Sequence, residues 1–126
     1  MSSALIQRLT NELGYPLVDG PGADAFIDRE GEAVLFLSGD PVRYKEADDV
    51  AVVLPELLKA LGGDLRAAVV HRDAEKEVAS RLGVTVWPAL AFFWRGGHLG
   101  NITRMQDWGV YLERIAALRG TVTEAR

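Results

Sequence analysis

The chain has 126 residues, of which 48% are hydrophobic and 25% are charged, as expected for one soluble domain spanning residues 1–126. It contains no cysteine, which excludes a disulfide, a thiolate nucleophile and a cysteine-ligated metal. A net charge of −4 disfavours nucleic acid as a partner. No apolar run approaches the length of a membrane span, so the sequence predicts a cytoplasmic protein.

The first half of the chain predicts helices around one buried strand. A helix is predicted at the N-terminus, where apolar residues recur at helical spacing before a glycine (Leu5, Ile6, Leu9, Leu13 and Gly14). One helical turn is predicted over 23–28. The continuous apolar run at 33–37 is typical of a strand buried on both faces. A long helix follows in the stretch DDVAVVLPELLKALGG, with Pro55 inside it.

The second half predicts a strand at 65–70, a short helix ending at Gly83, and two strands joined by a glycine hairpin between PALAFFW and HLGNIT. Alternation along the first hairpin strand places Phe92 and Phe93 on opposite faces. A last helix is predicted over 106–118, with Trp108 on its apolar side, and the stretch GTVTEAR is predicted to be a frayed tail. The pattern indicates an α/β protein with a mixed central β-sheet flanked by helices on both faces.

Two prolines give this pattern a resemblance to thioredoxin. Pro55 resembles the proline that kinks the active-site helix of thioredoxin, and Pro88, which precedes the strand ALAFFW, resembles its cis-proline. Counting back from Pro55 puts Ala47 and Val50 where thioredoxin has its two cysteines. The resemblance implies a thioredoxin-like fold with a cis bond between Trp87 and Pro88. Dithiol exchange is excluded because it requires an attacking thiolate.

The chain more closely resembles the HupG/HyaE family, thioredoxin-like accessory proteins encoded with uptake nickel-iron hydrogenases. This resemblance implies a non-redox chaperone, not an enzyme, that assists maturation of the hydrogenase small subunit by contacting the twin-arginine signal peptide of its precursor. Other hydrogenase maturation proteins are further implied partners. No catalytic residue, metal or cofactor is expected, since His71 and His98 stand alone in the sequence and no glycines form a phosphate-binding motif.

The candidate peptide-binding residues are three acids and the Trp-Pro step: Glu46, Asp48, Asp49, Trp87 and Pro88. Carboxylates in the first turn of a helix complement its dipole and cap its free amides, which is one explanation for the acids. The other is attraction of a basic peptide. In the thioredoxin layout the Trp-Pro step would lie beside them, where its backbone pairs with an extended segment and the indole offers a face for arginine. Alternatively, the tryptophan packs under the neighbouring loop.

Two other functions are consistent with the sequence. In one, the chain is a non-catalytic interaction module that docks onto another maturation factor or self-associates, and the acids only cap the helix. In the other, a hydrolase uses carboxylates such as Asp48 and Asp49. Salt-sensitive binding of a twin-arginine peptide distinguishes the chaperone from the interaction module.

Overall fold

The computed structural model describes residues 3–29 and 31–124. Helices and strands follow one another in the order α1 (Ala4–Asn11), β1 (Leu17–Val18), α2 (Gly20–Ile27), β2 (Glu32–Leu37), α3 (Glu46–Leu61), β3 (Arg66–Val70), α4 (Glu75–Leu82), β4 (Ala89–Trp94), β5 (Gly97–Thr103) and α5 (Trp108–Glu124). A short 3-10 turn over Arg72–Ala74 leads into α4.

The described strands form one mixed sheet in the order β1-β3-β2-β4-β5. β2 is parallel to β3 and antiparallel to β4, and β4 and β5 form the predicted hairpin. The five residues of the apolar run at 33–37 are each no more than 1% exposed. The run is apolar throughout because β2 has a strand on each side and a helical layer on each face.

Each face of the sheet carries its own core. Helices α1, α3 and α5 cover the face that includes Leu90 and Phe92, and helices α2 and α4 cover the face that includes Ala91 and Phe93. The alternation predicted for β4 is therefore confirmed. These layers bring the loop after β2, the first turn of α3 and the start of β4 to one end of the sheet.

The first helix ends at Asn11, before the glycine predicted to follow it. The hydroxyl Oγ of Ser3 caps α1 by accepting a hydrogen bond from the amide of Ile6 at 3.1 Å. Only Ile6 and Leu9 are buried in this helix. Leu5 is 40% exposed and Leu13, which lies beyond the last turn, is 38% exposed, so the apolar spacing extends beyond the residues that the helix buries.

The last helix is longer than predicted. α5 continues to Glu124, so the prediction of a frayed tail from residue 120 is wrong over the described part of that stretch. Arg119 fastens this end of α5 to β2 through two 2.8 Å hydrogen bonds to the carboxylate of Glu32. Trp108 is 42% exposed, whereas Tyr111 is fully buried and its hydroxyl donates to the carbonyl oxygen of Arg104. The buried aromatic anchor of α5 is therefore Tyr111.

Candidate functional site

An open groove of about 480 Å³ lies at the end of the sheet where β2 leads into α3. Its walls are residues 43–46, residues 85–88 and the side chain of Arg104. We call it the Pro88 groove. The peptide bond between Trp87 and Pro88 is cis, which confirms the bond geometry implied by the resemblance. Val86 is 41% exposed beside it.

A stacked pair of aromatic rings forms one wall of the Pro88 groove. The ring centroids of Tyr44 and Trp87 lie 6.1 Å apart with an interplanar angle of 28°. Gly39 allows this packing, because a Cβ atom there would lie 2.6 Å from Tyr44 Cδ2 and 3.0 Å from Trp87 Cβ. Its φ of +71° is a conformation that glycine adopts without strain.

A buried carboxylate holds the loop that carries this wall. The side chain of Glu75, at the start of α4, accepts a 2.8 Å hydrogen bond from the amide of Gly39 and a 2.8 Å hydrogen bond from Arg72 Nη1. Burial raises the pKa of Glu75, while both hydrogen bonds and the charge of Arg72 oppose that rise. Glu75 therefore links the loop after β2 to α4.

A second pocket, of about 390 Å³, shares Arg43, Tyr44 and Trp87 with the Pro88 groove. Its remaining walls come from the loop after β2 and from the start of α4, including Lys76. We call it the Lys76 pocket. The Tyr44–Trp87 pair is the wall common to both cavities. Trp87 thus packs against the loop, as one of the two alternatives predicts, and also lines both cavities.

Of the three predicted acids, one lines the groove. Glu46 lies in the Pro88 groove, where its carboxylate is bound by the guanidinium of Arg104 and by the amide of Met105 at 2.7 Å. These contacts lower the pKa of Glu46, the hydrogen bond from Arg104 contributing most. Asp48 and Asp49 follow in the first turn of α3 but line neither cavity.

Asp48 and Asp49 differ from each other in their surroundings. Asp49 is exposed. Asp48 is half-buried, and its Oδ1 is buried with no hydrogen-bond partner. The residue at the N-cap of α3 is Lys45, which makes no side-chain capping bond. The structure thus brings Glu46, Trp87 and Pro88 together around one groove and leaves the two aspartates on the adjoining helical turn.

The positions that resemble the cysteine sites of thioredoxin point into the core. Ala47 is 0% exposed and Val50 is 1% exposed, and both belong to the core between α3 and the sheet. In the described part of the chain, no group of three His, Asp or Glu side chains could hold a metal ion. Among the described helices, none has the length and apolar character that crossing a bilayer requires.

Sequence reasoning misses several residues that line the two cavities. Tyr44 and Arg43 lie in a loop segment without periodicity, and Arg104 follows β5, far along the chain from its partner Glu46. Only the fold brings these segments together. The one local signal is Gly39, which ends the apolar strand run and marks a sharp turn.

This fold without thiols is that of a thioredoxin. A mutant thioredoxin from Halobacterium salinarum superposes with a TM-score of 0.66 at 22% sequence identity, covering 82% of this chain and 90% of its own. The molecule is therefore a thioredoxin-fold protein with no cysteine.

The sequence also matches a narrower group. A family described as Hydrogenase-1 expression protein HyaE matches residues 5–111. The hydrogenase expression/formation protein HoxO of Azotobacter vinelandii is 48% identical over 118 residues, which cover 94% of this chain and 79% of that protein. A crystal structure described as hydrogenase expression/formation protein HupG of Rhodopseudomonas palustris superposes with a TM-score of 0.60 at 46% identity, covering 86% of this chain and 97% of that one. The chain belongs to the HyaE family of hydrogenase expression proteins, which confirms the predicted family.

Proposed function

We propose that this protein is a non-redox chaperone for the small subunit of a nickel-iron hydrogenase and that the Pro88 groove binds the twin-arginine signal peptide of the subunit precursor. The observation that carries the proposal is the open, aromatic-walled groove beside the cis Trp87–Pro88 step. An extended peptide can lie along such a step and bury apolar side chains against the indole. The family names concern hydrogenase expression and support this class of partner.

The signal peptide meets two kinds of surface. Its apolar segment packs on Val86 and Trp87, which are accessible in the Pro88 groove. Its arginines pair with acids at the start of α3, where Asp49 is exposed and makes no ion pair with a described residue. Arginine suits these acids because its planar guanidinium binds carboxylates through two parallel hydrogen bonds.

An arginine of the signal peptide would compete with Arg104 for the carboxylate of Glu46. Its carboxylate already binds Arg104, so an arginine of the peptide must displace that guanidinium or share the carboxylate with it. Solvent-exposed ion pairs contribute at most about 1 kcal/mol each. Burial of the apolar segment therefore supplies most of the affinity, and we expect micromolar binding, about −8 kcal/mol.

Calorimetric titration with a synthetic twin-arginine signal peptide tests this function. Trp87→Ala is expected to weaken binding about tenfold through lost apolar contact, with little change in its salt dependence. Replacing both Asp48 and Asp49 by asparagine is expected to weaken binding several-fold and to flatten its salt dependence. Asp64→Asn, a substitution before β3 at the opposite end of the sheet, is the matched control and should change nothing.

Two results would contradict the proposal at different levels. If the parent and the Asp48/Asp49 variant bind the peptide with equal affinity, the two aspartates are not part of the binding site. No binding of any signal peptide to the parent would remove the chaperone function and favour the interaction module. A peptide whose two arginines are replaced by lysines should bind more weakly, because the ammonium group cannot make the two parallel hydrogen bonds.

A further inference from the structure

Cationic side chains outnumber acidic ones around the Tyr44–Trp87 pair, whereas acidic side chains outnumber cationic ones in the whole chain. The chain carries a net charge of −4. In contrast, the Pro88 groove and the Lys76 pocket together are lined by three acids and by five cationic side chains, namely Arg43, Lys45, Arg72, Lys76 and Arg104. A local excess of positive charge on an acidic protein points to a negatively charged partner at this place.

All three acids are already engaged within the molecule. Glu46 binds Arg104 and the amide of Met105. Glu75 binds Arg72 and the amide of Gly39. The remaining acid, Asp40, accepts a 3.0 Å hydrogen bond from the amide of Val42. These contacts pair Arg72 and Arg104 with carboxylates, so the cavity walls keep three further cations against one acid, Asp40, that has no cationic partner among the described residues.

Those three cations are Arg43, Lys45 and Lys76, which we call the cationic rim. All three are exposed, and none forms an ion pair with a residue in the described part of the chain. Lys59, elsewhere on the surface, has its Nζ 3.7 Å from Glu56 Oε1. The chain has no further lysine, so the two lysines without a carboxylate partner among the described residues both lie beside the Tyr44–Trp87 pair.

Exposed apolar side chains lie near these charges. Val42, which at 83% is the most exposed large apolar side chain among the described residues, lies in the same loop as Arg43, and Val86 is 41% exposed in the groove. The guanidinium carbon of Arg43 lies 5.3 Å from the centroid of the Tyr44 ring. An apolar centre with a charged rim is the usual anatomy of a protein-protein contact.

We propose that the cationic rim docks an acidic, extended segment of a partner protein against the Tyr44–Trp87 pair. This partner is additional to the arginine-bearing peptide of the proposed function. The net charge of −4 opposes a long polyanion such as nucleic acid, whereas a short acidic segment meets only the local positive field. Both ligands contact Trp87, and Arg43 and Lys45 line the Pro88 groove, so the acidic segment and the arginine-bearing peptide compete for the Tyr44–Trp87 wall.

A fluorescence anisotropy titration tests the rim directly. The probe is a labelled synthetic peptide in which three glutamates alternate with leucines, and the reference is the same peptide with glutamines. Replacing Arg43, Lys45 and Lys76 together by glutamine is expected to weaken binding of the glutamate peptide about tenfold and to reduce its salt dependence. Lys59→Gln is the matched control and should bind as the parent does. Circular dichroism and thermal unfolding check that each variant keeps the parent fold.

The inference is overturned if the glutamine peptide binds as tightly as the glutamate peptide, or if the Lys59 variant loses as much affinity as the rim variant. Titrating the same proteins with the signal peptide separates the two proposals. The rim variant should bind that peptide at least as tightly as the parent, because three like charges are gone. A parent that binds the glutamate peptide but no signal peptide supports the rim and contradicts the chaperone function. A parent that binds the signal peptide but not the glutamate peptide contradicts the proposed role of the cationic rim and leaves the chaperone function standing.

Discussion

The two sides of the Pro88 groove are built in opposite ways. On the α3 side, Ala47 and Val50 are at most 1% exposed and belong to the core. On the opposite side, Val86 is 41% exposed and Trp87 lines both cavities. The side that resembles the thiol positions of thioredoxin is closed by apolar packing, and the side that resembles its peptide-binding wall is open. The absence of thiols therefore does not close the Pro88 groove.

Single cysteines placed on α3 give the largest expected effect, and the cysteine-free background makes each thiol unique. Ala47→Cys and Val50→Cys should react with a water-soluble disulfide reagent on the order of a hundredfold more slowly than Val52→Cys, because a buried thiol reacts only when the structure opens. Val52 lies on the same helix and is 47% exposed. Equal rates at the three positions would show that the closed side opens freely.

Substitution of Gly39 tests how the open side is held. Gly39→Ala places a Cβ atom 2.6 Å from the Tyr44 ring at a φ of +71°. Gly83→Ala is a matched control, because Gly83 has a φ of +72° with nothing within 4 Å of the added atom. Both variants should lose about 1 kcal/mol of unfolding free energy through the left-handed backbone, and Gly39→Ala should lose about 1 to 3 kcal/mol more through overpacking. If denaturant unfolding shows that Gly39→Ala and Gly83→Ala lose the same free energy of unfolding, the Tyr44 ring moves aside at no cost in stability.

Glu75 makes the stability of this wall depend on pH. Burial raises its pKa above the usual 4.5, so the folded state binds its proton more tightly than the unfolded state. The free energy of unfolding should therefore fall as pH rises from about 4.5 through the folded pKa. Glu75→Gln should remove that fall and change stability at neutral pH by no more than about 1 kcal/mol, because it loses the charged hydrogen bond from Arg72 but no longer buries a charge. A pH series of urea titrations that gives parallel curves for parent and variant would contradict this role.

The smallest expected effect is at Glu46. Its pKa is lowered mainly by the hydrogen bond from Arg104, so its contribution to stability is present above the unfolded pKa and is lost as pH falls through the folded value. Glu46→Gln should flatten this acid limb and cost less than about 1 kcal/mol at pH 7. Glu56→Gln, which removes the exposed partner of Lys59, is the control and should cost a few tenths of a kcal/mol. If Glu56→Gln lowers the free energy of unfolding more than Glu46→Gln does, the contact between Glu46 and Arg104 has no special role in stability.

The sequence predicts the parts of this molecule whose pattern is local. The apolar run of β2, the proline-containing helix α3 and the hairpin of β4 and β5 all match. The cis bond before Pro88 also matches, but it was implied by resemblance and not by any periodicity. At α5 the sequence fails because Arg119 secures the helix end by pairing with Glu32 on β2, a contact that no local pattern contains.

The candidate site is predicted less completely than the fold. Trp87 and Glu46 do meet at the groove, as the thioredoxin layout requires. Spacing along α3 places Asp48 and Asp49 correctly in the first turn, but it gives no information on which side chains line a cavity. The positive character of the two cavities is missed because their cations come from the loop after β2, from the start of α4 with the turn before it, and from the residue after β5. Charge summed along the chain hides such a cluster.

The two edge strands of the sheet are poorly suited to pairing with a strand of another molecule. β1 has only two residues, which is too short a ladder for an added strand. At the other edge, the pairing of β4 with β5 shifts register between Phe92 and Phe93, and the backbone of Gly100 lies so close to Leu118 of α5 that an added Cβ atom would be 2.7 Å from its side chain. Bulges of this kind bend and twist an edge strand and interrupt its hydrogen-bonding repeat. Growth of the sheet from one copy into the next is thereby disfavoured, so the protein can expose the apolar side chains of the Pro88 groove while its copies resist joining into fibres.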